Sequence, residues 1–417
     1  MKRQLNVLLL FSGIIFGVGC QPKETSNDTD KELKSLANKL AQEYIIVDGH
    51  VDIPYRLKNK WEDISVRTEN GDFDYIRAKE GGLNAPFMSI YTPSSLEAEI
   101  GSFDGSSKAL ADTLIDMVYQ IAETHPDKFT IATSPDEIEE IFAKGKIALP
   151  MGMENGSPIE GKLENIQYFY DRGVRYITLT HGKNNHIGDS SYDTTRYWNG
   201  LSEFGRQVVQ EMNRVGILVD ISHVSDSTFY QVMEISKAPV IASHTSCRHF
   251  TPDFERNMSD DMIKALGQKE GVIMINFGST FLSGESQKMA NQNREHIANW
   301  LEENQMKSDD SKAKEYIEAY IKDHPFKTDV NKAADHIDHV VKLVGIEHVG
   351  FGSDYDGVGD SLPIGLDDAS FYPNLIFTLL KRGYSEEDIR KICYQNVFRV
   401  WREAEKFAKE SQAIAKN

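Results

Sequence analysis

Seven side chains of metal-ligating or proton-transferring type stand at the ends of short apolar runs in this sequence: His50, Asp52, Glu154, His181, His223, His244 and Asp354. Imidazole and carboxylate together, with no thiolate among them, suit zinc or a similar divalent ion. His50 and Asp52 are two residues apart in an extended run, so both side chains leave one face and can share an ion. Glu154 comes from a different run, and its carboxylate can bridge two ions. His223 and His244 are then available for the second. Asp48 falls on the His50 face and is read as the residue that orients a ligand imidazole, a partner such sites require. A lone histidine at a strand end is ordinarily a satisfied polar group; several of them converging with carboxylates is a constellation.

These residues act together only if the chain brings the ends of its runs to one place. Eight runs are rich in β-branched and apolar residues: Ile45–Asp52, Ala85–Tyr91, Ile147–Asn155, Tyr176–His181, Ile217–His223, Pro239–His244, Gly271–Phe277 and His348–Asp354. Between most of them lie patterns with apolar residues three and four apart: Ser107–Glu123, Lys162–Asp171, Glu203–Val215, Asp226–Ser236, Asp260–Leu266 and Asn331–Val344. Strands alternating with helices pair in parallel, and eight of them predict an α/β fold closed into a (β/α)8 TIM barrel. The C-terminal strand ends of such a barrel share one face, where sites are built. A single domain is expected over 32–417, opening with an amphipathic helix from about Glu32. One stretch breaks the rhythm. Residues 282–329, between strands seven and eight, are charged and helix-prone; they are read as a solvated surface insertion, with a lid or a dimer arm as the alternatives.

Composition bounds the partners. With 46 basic and 64 acidic residues the formal charge is −18, which argues against nucleic acid or an anionic membrane surface. Residues 1–20 read as a signal peptide: Lys2 and Arg3 precede an apolar run from Leu5 to Val18, too short to span a bilayer. The run ends at Gly19-Cys20, and Cys20 stands where the lipobox of bacterial lipoproteins carries its acylated cysteine, although Gly17 occupies a position usually held by leucine. Lipidation of Cys20 is expected, with plain cleavage as the alternative. Either route exports the protein, to a lipid-anchored place at the membrane (periplasm or cell surface) or as a secreted product. Residues 21–31 are polar and aperiodic and are expected to form a flexible tether. Cys247 and Cys393 have no metal or redox spacing and are expected to be buried small hydrophobes.

The segments DGHVDIPYRL (48–57), MGMENG (151–156), YITLTHG (176–182), LVDISHVS (218–225), VIASHTS (240–246), RNMSDDMI (256–263) and VGFGSDYDGV (349–358) resemble the membrane (renal-type) dipeptidase family of zinc metallopeptidases. They do so in chain order, and the lipobox is that of a bacterial lipoprotein member. The resemblance implies a barrel like that of the metal-dependent amidohydrolases, with two zinc ions per chain. His50 and Asp52 would bind one, His223 and His244 the other, and Glu154 would bridge. It implies that His181 contacts the substrate carbonyl, that Arg256 holds the free carboxylate of a dipeptide, and that Asp354 transfers the proton. It also implies a homodimer. The implied reaction is attack on the peptide bond by a metal-bridging hydroxide, because zinc lowers the pKa of bound water to about 7. An arginine fork matched to a carboxylate beside the scissile bond would select dipeptides over proteins. The spacing from His244 to Arg256 runs longer than the family pattern, so Arg248 competes for the carboxylate. Beyond Phe277 the family's aromatic substrate contact has no clear counterpart. Two other readings compete. Another metal-dependent barrel amidohydrolase would be expected to carry His-x-His on strand one and often a carboxylated lysine, where this chain has His-x-Asp and Glu154. A peptide- or metal-binding surface lipoprotein without turnover would be expected to lack a catalytic group, yet His181 and Asp354 are both present.

Overall fold

Ten strands form in the computed structural model, which describes residues 26–415. They are β1 Ile46–Val51, β2 Leu83–Tyr91, β3 Phe129–Ile131, β4 Ile147–Leu149, β5 Met151–Glu154, β6 Val174–Thr178, β7 Leu218–Asp220, β8 Ile241–Ala242, β9 Val272–Ile275 and β10 Val349–Phe351. Eight of them close a parallel barrel in the order β1-β10-β9-β8-β7-β6-β5-β2, while β3 and β4 pair as a separate small sheet. The fold is a (β/α)8 barrel. The run expected as one strand over Ile147–Asn155 is two. Pro150 has no N–H to give to a ladder, so β4 ends before it and joins β3, and β5 enters the barrel after it.

One hydrophobic cluster unites the strand residues Val47, Phe87, Tyr176, Leu218, Ile241, Val272 and Met274 with Val397, Phe398 and Trp401 of the last helix, Asn396–Ala415. Phe87 lies 5.2 Å from the Tyr176 ring and 5.3 Å from Trp401. That helix plugs one end of the barrel with large apolar side chains, each worth roughly 1.5–3 kcal/mol when buried. The polar residues are left to the other end. Tyr176 crosses this interior against Gly152, where a Cβ would stand 1.9 Å from the ring; only glycine admits the ring there.

Helices form at all six expected positions, Glu203–Val215 with the bounds read from the sequence. The N-terminal reading needs correction. A helix spans Ser26–Glu43, so residues 26–31 form its first turns rather than a flexible tether. Its apolar stripe of Leu33, Leu36, Ala37 and Leu40 packs on the body, and a helix secured by such a face propagates into the polar residues before it. Asp30 is also held, 2.9 Å from Lys381. The expected signal peptide over 1–20, with Cys20, and residues 21–25 lie outside the described residues. Among the described residues no helix is long and apolar enough to cross a membrane.

Between β9 and β10 the charged stretch folds as the helices Ser279–Leu282, Gly284–Glu303 and Ser311–Asp323. The two long ones are joined by stacked rings, Trp300 on Tyr316 at 3.9 Å and His296 on Tyr320 at 4.1 Å. The excursion closes on itself, because Thr328 N–H donates to Ser279 Oγ at 3.1 Å.

Candidate active site

The strands stop short of the histidines. β6, β7, β8 and β10 end at Thr178, Asp220, Ala242 and Phe351, so His181, His223, His244 and Asp354 stand in the first residues of the following loops. Glu154 is the last residue of β5, and Asp52 follows β1. His223 and Asp354 have left-handed backbones, with φ of +67° and +63°. That conformation costs a residue with a Cβ about 1–3 kcal/mol, and such strain persists where a side chain must aim at a fixed point.

The point is Glu154. Its buried Oε1 lies 3.1 Å from His223 Nε2, 3.3 Å from His244 Nε2 and 3.7 Å from His181 Nε2. Its Oε2 faces His50 Nε2 at 3.5 Å, and Asp52 Oδ2 is 3.5 Å from the same nitrogen. His223 and His244 bring their Nε2 atoms to 3.0 Å of each other.

Hydrogen-bond relays set the tautomers. The Tyr176 hydroxyl donates to the Gly49 carbonyl (3.0 Å), so it accepts from His50 Nδ1–H (2.8 Å) and leaves His50 Nε2 bare. Ser243 Oγ donates to Asp220 (2.6 Å), so it accepts from His244 Nδ1–H (2.8 Å), with the same result at His244 Nε2. His50 Nε2 and Asp52 Oδ1 are buried without any hydrogen-bond partner. Buried polar atoms are rarely left so. A divalent cation is the partner that satisfies bare imidazole nitrogens and carboxylate oxygens together, so the donor set fits metal.

Electrostatics agree at His181, His223 and His244; at His50, burial, which lowers it, is outweighed by Tyr176, Glu154 and Asp52, which raise it well above the usual imidazole range. Burial, reinforced by the Arg256 cation, pushes His223 and His244 well below the usual imidazole range, into the neutral form that ligates metal. Burial also lowers His181. Burial alone would raise Glu154, but the surrounding imidazoles of His50, His181, His223 and His244 hold it well down. Asp354 goes the other way: burial pushes its carboxyl up to about 7, opposed by His50 and reinforced by Asp52 and Glu154. Its Oδ2 accepts from Asn276 Nδ2 at 2.7 Å. Gly357 closes over this corner; a Cβ there would stand 2.2 Å from both Asp354 Oδ1 and Asp52 Oδ2.

Three sequence readings change. Asp48 does not orient an imidazole. The register shifts between Asp48 and Val51, which breaks the two-residue alternation. Asp48 instead accepts the backbone N–H groups of His50 (3.0 Å) and Ser353 (2.9 Å) and the Tyr372 hydroxyl, fastening β1 to the end of β10. Arg248 is committed elsewhere: its fork takes both oxygens of Asp226 at 2.8 and 2.6 Å and the carbonyls of Asn257 and Glu255. Arg256 is buried beside the centre, with Nη1 on Thr245 Oγ1 (2.7 Å), Nη2 on the His244 carbonyl (2.8 Å), Nε unpartnered and the Phe281 ring 5.3 Å away.

The third change concerns 282–329. A cavity of about 1060 Å³ opens above the centre, with Asp52, Glu154, His181, His223 and Asp354 among its lining. Ala290, Asn293, Arg294 and Ile297, one stripe of the Gly284–Glu303 helix, form a wall of it together with Ile321 and Phe326. The stretch is solvated on its outer side and is a wall of the site on its inner side.

Sequence reasoning missed Tyr176, the Ser243–Asp220 relay and Asn276. Asp220, two residues before Ser222 in the run that leads to His223, carried a weak signal; a tyrosine or serine inside an apolar run carried none.

A parallel barrel with a buried carboxylate ringed by imidazoles at its C-terminal mouth defines a metal-dependent barrel enzyme. The chain belongs to the membrane dipeptidase family, peptidase family M19, whose model matches residues 34–415, and so to the metallopeptidases that hydrolyse dipeptides. It is 34% identical over 377 residues to dipeptidase verJ of Clonostachys rogersoniana, a match covering 88% of this chain and 86% of that relative. Its fold is similar to that of the probable dipeptidase PvdM from Pseudomonas aeruginosa, at 24% identity and a TM-score of 0.78, covering 91% of this chain and 100% of that one. It is also similar to a metallo peptidase from Rhodobacter sphaeroides solved with a phosphinate mimic of L-Ala-D-Ala, at 23% identity and a TM-score of 0.70, covering 87% and 99%.

Proposed function

We propose that this metallopeptidase is a dinuclear zinc enzyme cleaving dipeptides that have a free C-terminal carboxylate. The observation that carries the reading is the division of ligands about Glu154: His50 faces Oε2, whereas His223 and His244 face Oε1. That is the disposition a bridging carboxylate needs, with Asp52 completing the His50 side. Imidazoles and carboxylates without thiolate favour zinc in a catalytic rather than a structural role. When bound, the ions supply Lewis acidity and water ionised at neutral pH.

The chain's own groups do the rest. His181, neutral and partly exposed in the cavity, is placed to donate an N–H to the carbonyl oxygen as negative charge develops there. Asn276 holds one oxygen of Asp354, and Oδ1 remains to accept a proton and pass it to the leaving amine. Arg256 keeps its Nε–H unpaired beside the centre, and the substrate carboxylate is the anion that would satisfy it. Arg248, saturated by Asp226, has no fork to spare.

The test joins metal content to turnover. Protein stripped by chelation should lose hydrolysis of L-Ala-D-Ala and recover it with zinc, and elemental analysis of the active form should give at least two zinc per chain. Full activity with one ion overturns the dinuclear reading. Zinc-loaded protein inert toward dipeptides overturns the substrate class.

A further inference from the structure

A second group of ligand-type side chains assembles away from the barrel mouth. His249 lies in the short turn Arg248–Phe250, Asp260 opens the helix Asp260–Gln268, and His339 lies on the helix Val330–Val344. One ligand atom from each falls within 4.8 Å of the other two. His339 Nε2 is 2.7 Å from Asp260 Oδ1, and the His249 ring stacks on the His339 ring at 4.4 Å and 21°. The same motif, two stacked imidazoles against a carboxylate, occurs at the Glu154 centre, where the His50 and His244 rings stack at 3.8 Å and 27°.

Ordinary surface chemistry accounts for half of this. A His–Asp hydrogen bond explains the pairing of His339 with Asp260. It does not explain why His249, an exposed residue from a different segment, lays its ring on the pair. Nor is Asp260 occupied in capping its helix, because Ser259 does that by accepting from Met262 N–H. The neighbouring donors are spent. His336 accepts Cys247 N–H at Nδ1 (2.9 Å) and donates to the Leu282 carbonyl from Nε2 (3.1 Å). Burial pushes the Cys247 thiol up and keeps it protonated.

We infer that His249, Asp260 and His339 form a further metal site, binding one borderline divalent cation such as Zn2+ or Ni2+ separately from the Glu154 centre. Two imidazoles and one carboxylate make an N2O donor set of the kind these ions take, with water filling the open positions. The exposed His249 ring has room to tilt so that its lone pair converges with that of His339. An ion there ties the Arg248–Phe250 turn and the start of the Asp260–Gln268 helix to the helix Val330–Val344, whose His339 is 79 residues beyond Asp260. The turn is part of the 245–258 connection that presents Arg256. Binding to the folded state alone stabilises it by mass action.

Zn2+ alone is the probe. Wild-type holoenzyme and His249→Ala/His339→Ala are equilibrated at the same buffered free Zn2+, and metal per chain and melting temperature are measured. The double variant should hold one equivalent fewer and lose the stabilisation that added Zn2+ gives the wild type, with dipeptide turnover unchanged. His249→Ala alone, at an exposed position, should weaken the same equivalent. The pair of substitutions repeated in a Glu154→Gln background should still remove one equivalent, which separates this site from the catalytic centre. Identical metal content in wild type and double variant across the titration overturns the inference, as does stabilisation by Zn2+ that survives the substitutions.

Discussion

Asp354→Asn preserves the shape of the side chain and an acceptor for Asn276, and removes only the capacity to carry a proton. General acid–base catalysis contributes about 10²–10⁴-fold, so kcat should fall by that order while zinc content stays at the wild-type level. Loss of zinc would instead make Asp354 a ligand, a role within reach because ligand atoms of His50, Asp52 and Asp354 lie within 4.8 Å of one another. Asp356 is no control for that experiment: its side chain is buried and ion-paired with Arg56 at 2.9 Å, and its loss belongs to stability. Tyr176→Phe probes the relay behind the metal. It deletes the acceptor of His50 Nδ1–H and should weaken zinc binding about 10–100-fold in a chelator competition, with kcat largely restored at saturating zinc. Unchanged affinity would mean that packing alone orients His50. Arg256→Met should lower kcat/KM for free dipeptides by roughly 1.5–3 kcal/mol, the worth of a hydrogen bond to a charged group. Dipeptide amides, already poor substrates, should hardly respond; equal losses on both would remove Arg256 from carboxylate recognition. The contrast between these residues shows what was legible. His50, Glu154, His223 and His244 each follow an apolar run and announce themselves by type. Tyr176 sits 126 residues from the His50 ring it orients, and no spacing rule links residues that meet only across a barrel. Asp48 was misplaced because strict alternation was assumed through a β-irregularity.

At the scale of elements, the barrel strands were legible because parallel strands covered on both faces read as continuous apolar runs. Their ends were not. The runs that lead to His181, His223, His244 and Asp354 continued past the last ladder bond into the loop that carries the functional side chain, as at His181 after Thr178. Pro150 was a visible punctuation inside a run, and it does split β4 from β5, whereas Pro86 in the Ala85–Tyr91 run leaves β2 continuous. The 279–328 excursion was legible as helical and charged, but its wall-forming stripe was not. Ala290, Asn293, Arg294 and Ile297 mix small, polar, charged and apolar types, so no amphipathic pattern marks the face turned to the cavity. Its geometry permits a direct test. Because Thr328 N–H bonds Ser279 Oγ at 3.1 Å, the residues between them can be replaced by a short Gly-Ser link without stretching the barrel. The shortened protein should keep its zinc, since no ligand at the Glu154 centre comes from this stretch, while KM for dipeptides rises as the cavity loses a wall. Melting temperature and metal content establish that the barrel is intact. An unchanged KM would return the excursion to the status of a solvated appendage.

For the molecule as a whole, chemistry and attachment are segregated along the chain. The last helix seals one barrel mouth with Phe398 and Trp401, and the ligands occupy the other. The Ser26–Glu43 helix packs Leu40 and Ala41 into the body, so whatever precedes Ser26 is tied to the barrel through that helix. We propose that Cys20 carries the lipid that holds the enzyme at a membrane, on the strength of the charged start, the short apolar run and the Gly19-Cys20 ending. No described helix could serve as the anchor instead. A single acyl chain gives only marginal binding, so stable attachment needs the multiple chains of a lipoprotein cysteine. The full chain, produced in a bacterial host with lipoprotein processing, should partition into detergent and yield an N-terminal peptide beginning at Cys20 with added lipid mass. Cys20→Ala should lose that mass and move the protein to the soluble fraction, with dipeptide turnover per zinc-loaded chain unchanged, because no residue of the site lies in that segment. A mature N-terminus beyond residue 20 without lipid would decide for plain secretion and leave the catalytic reading untouched.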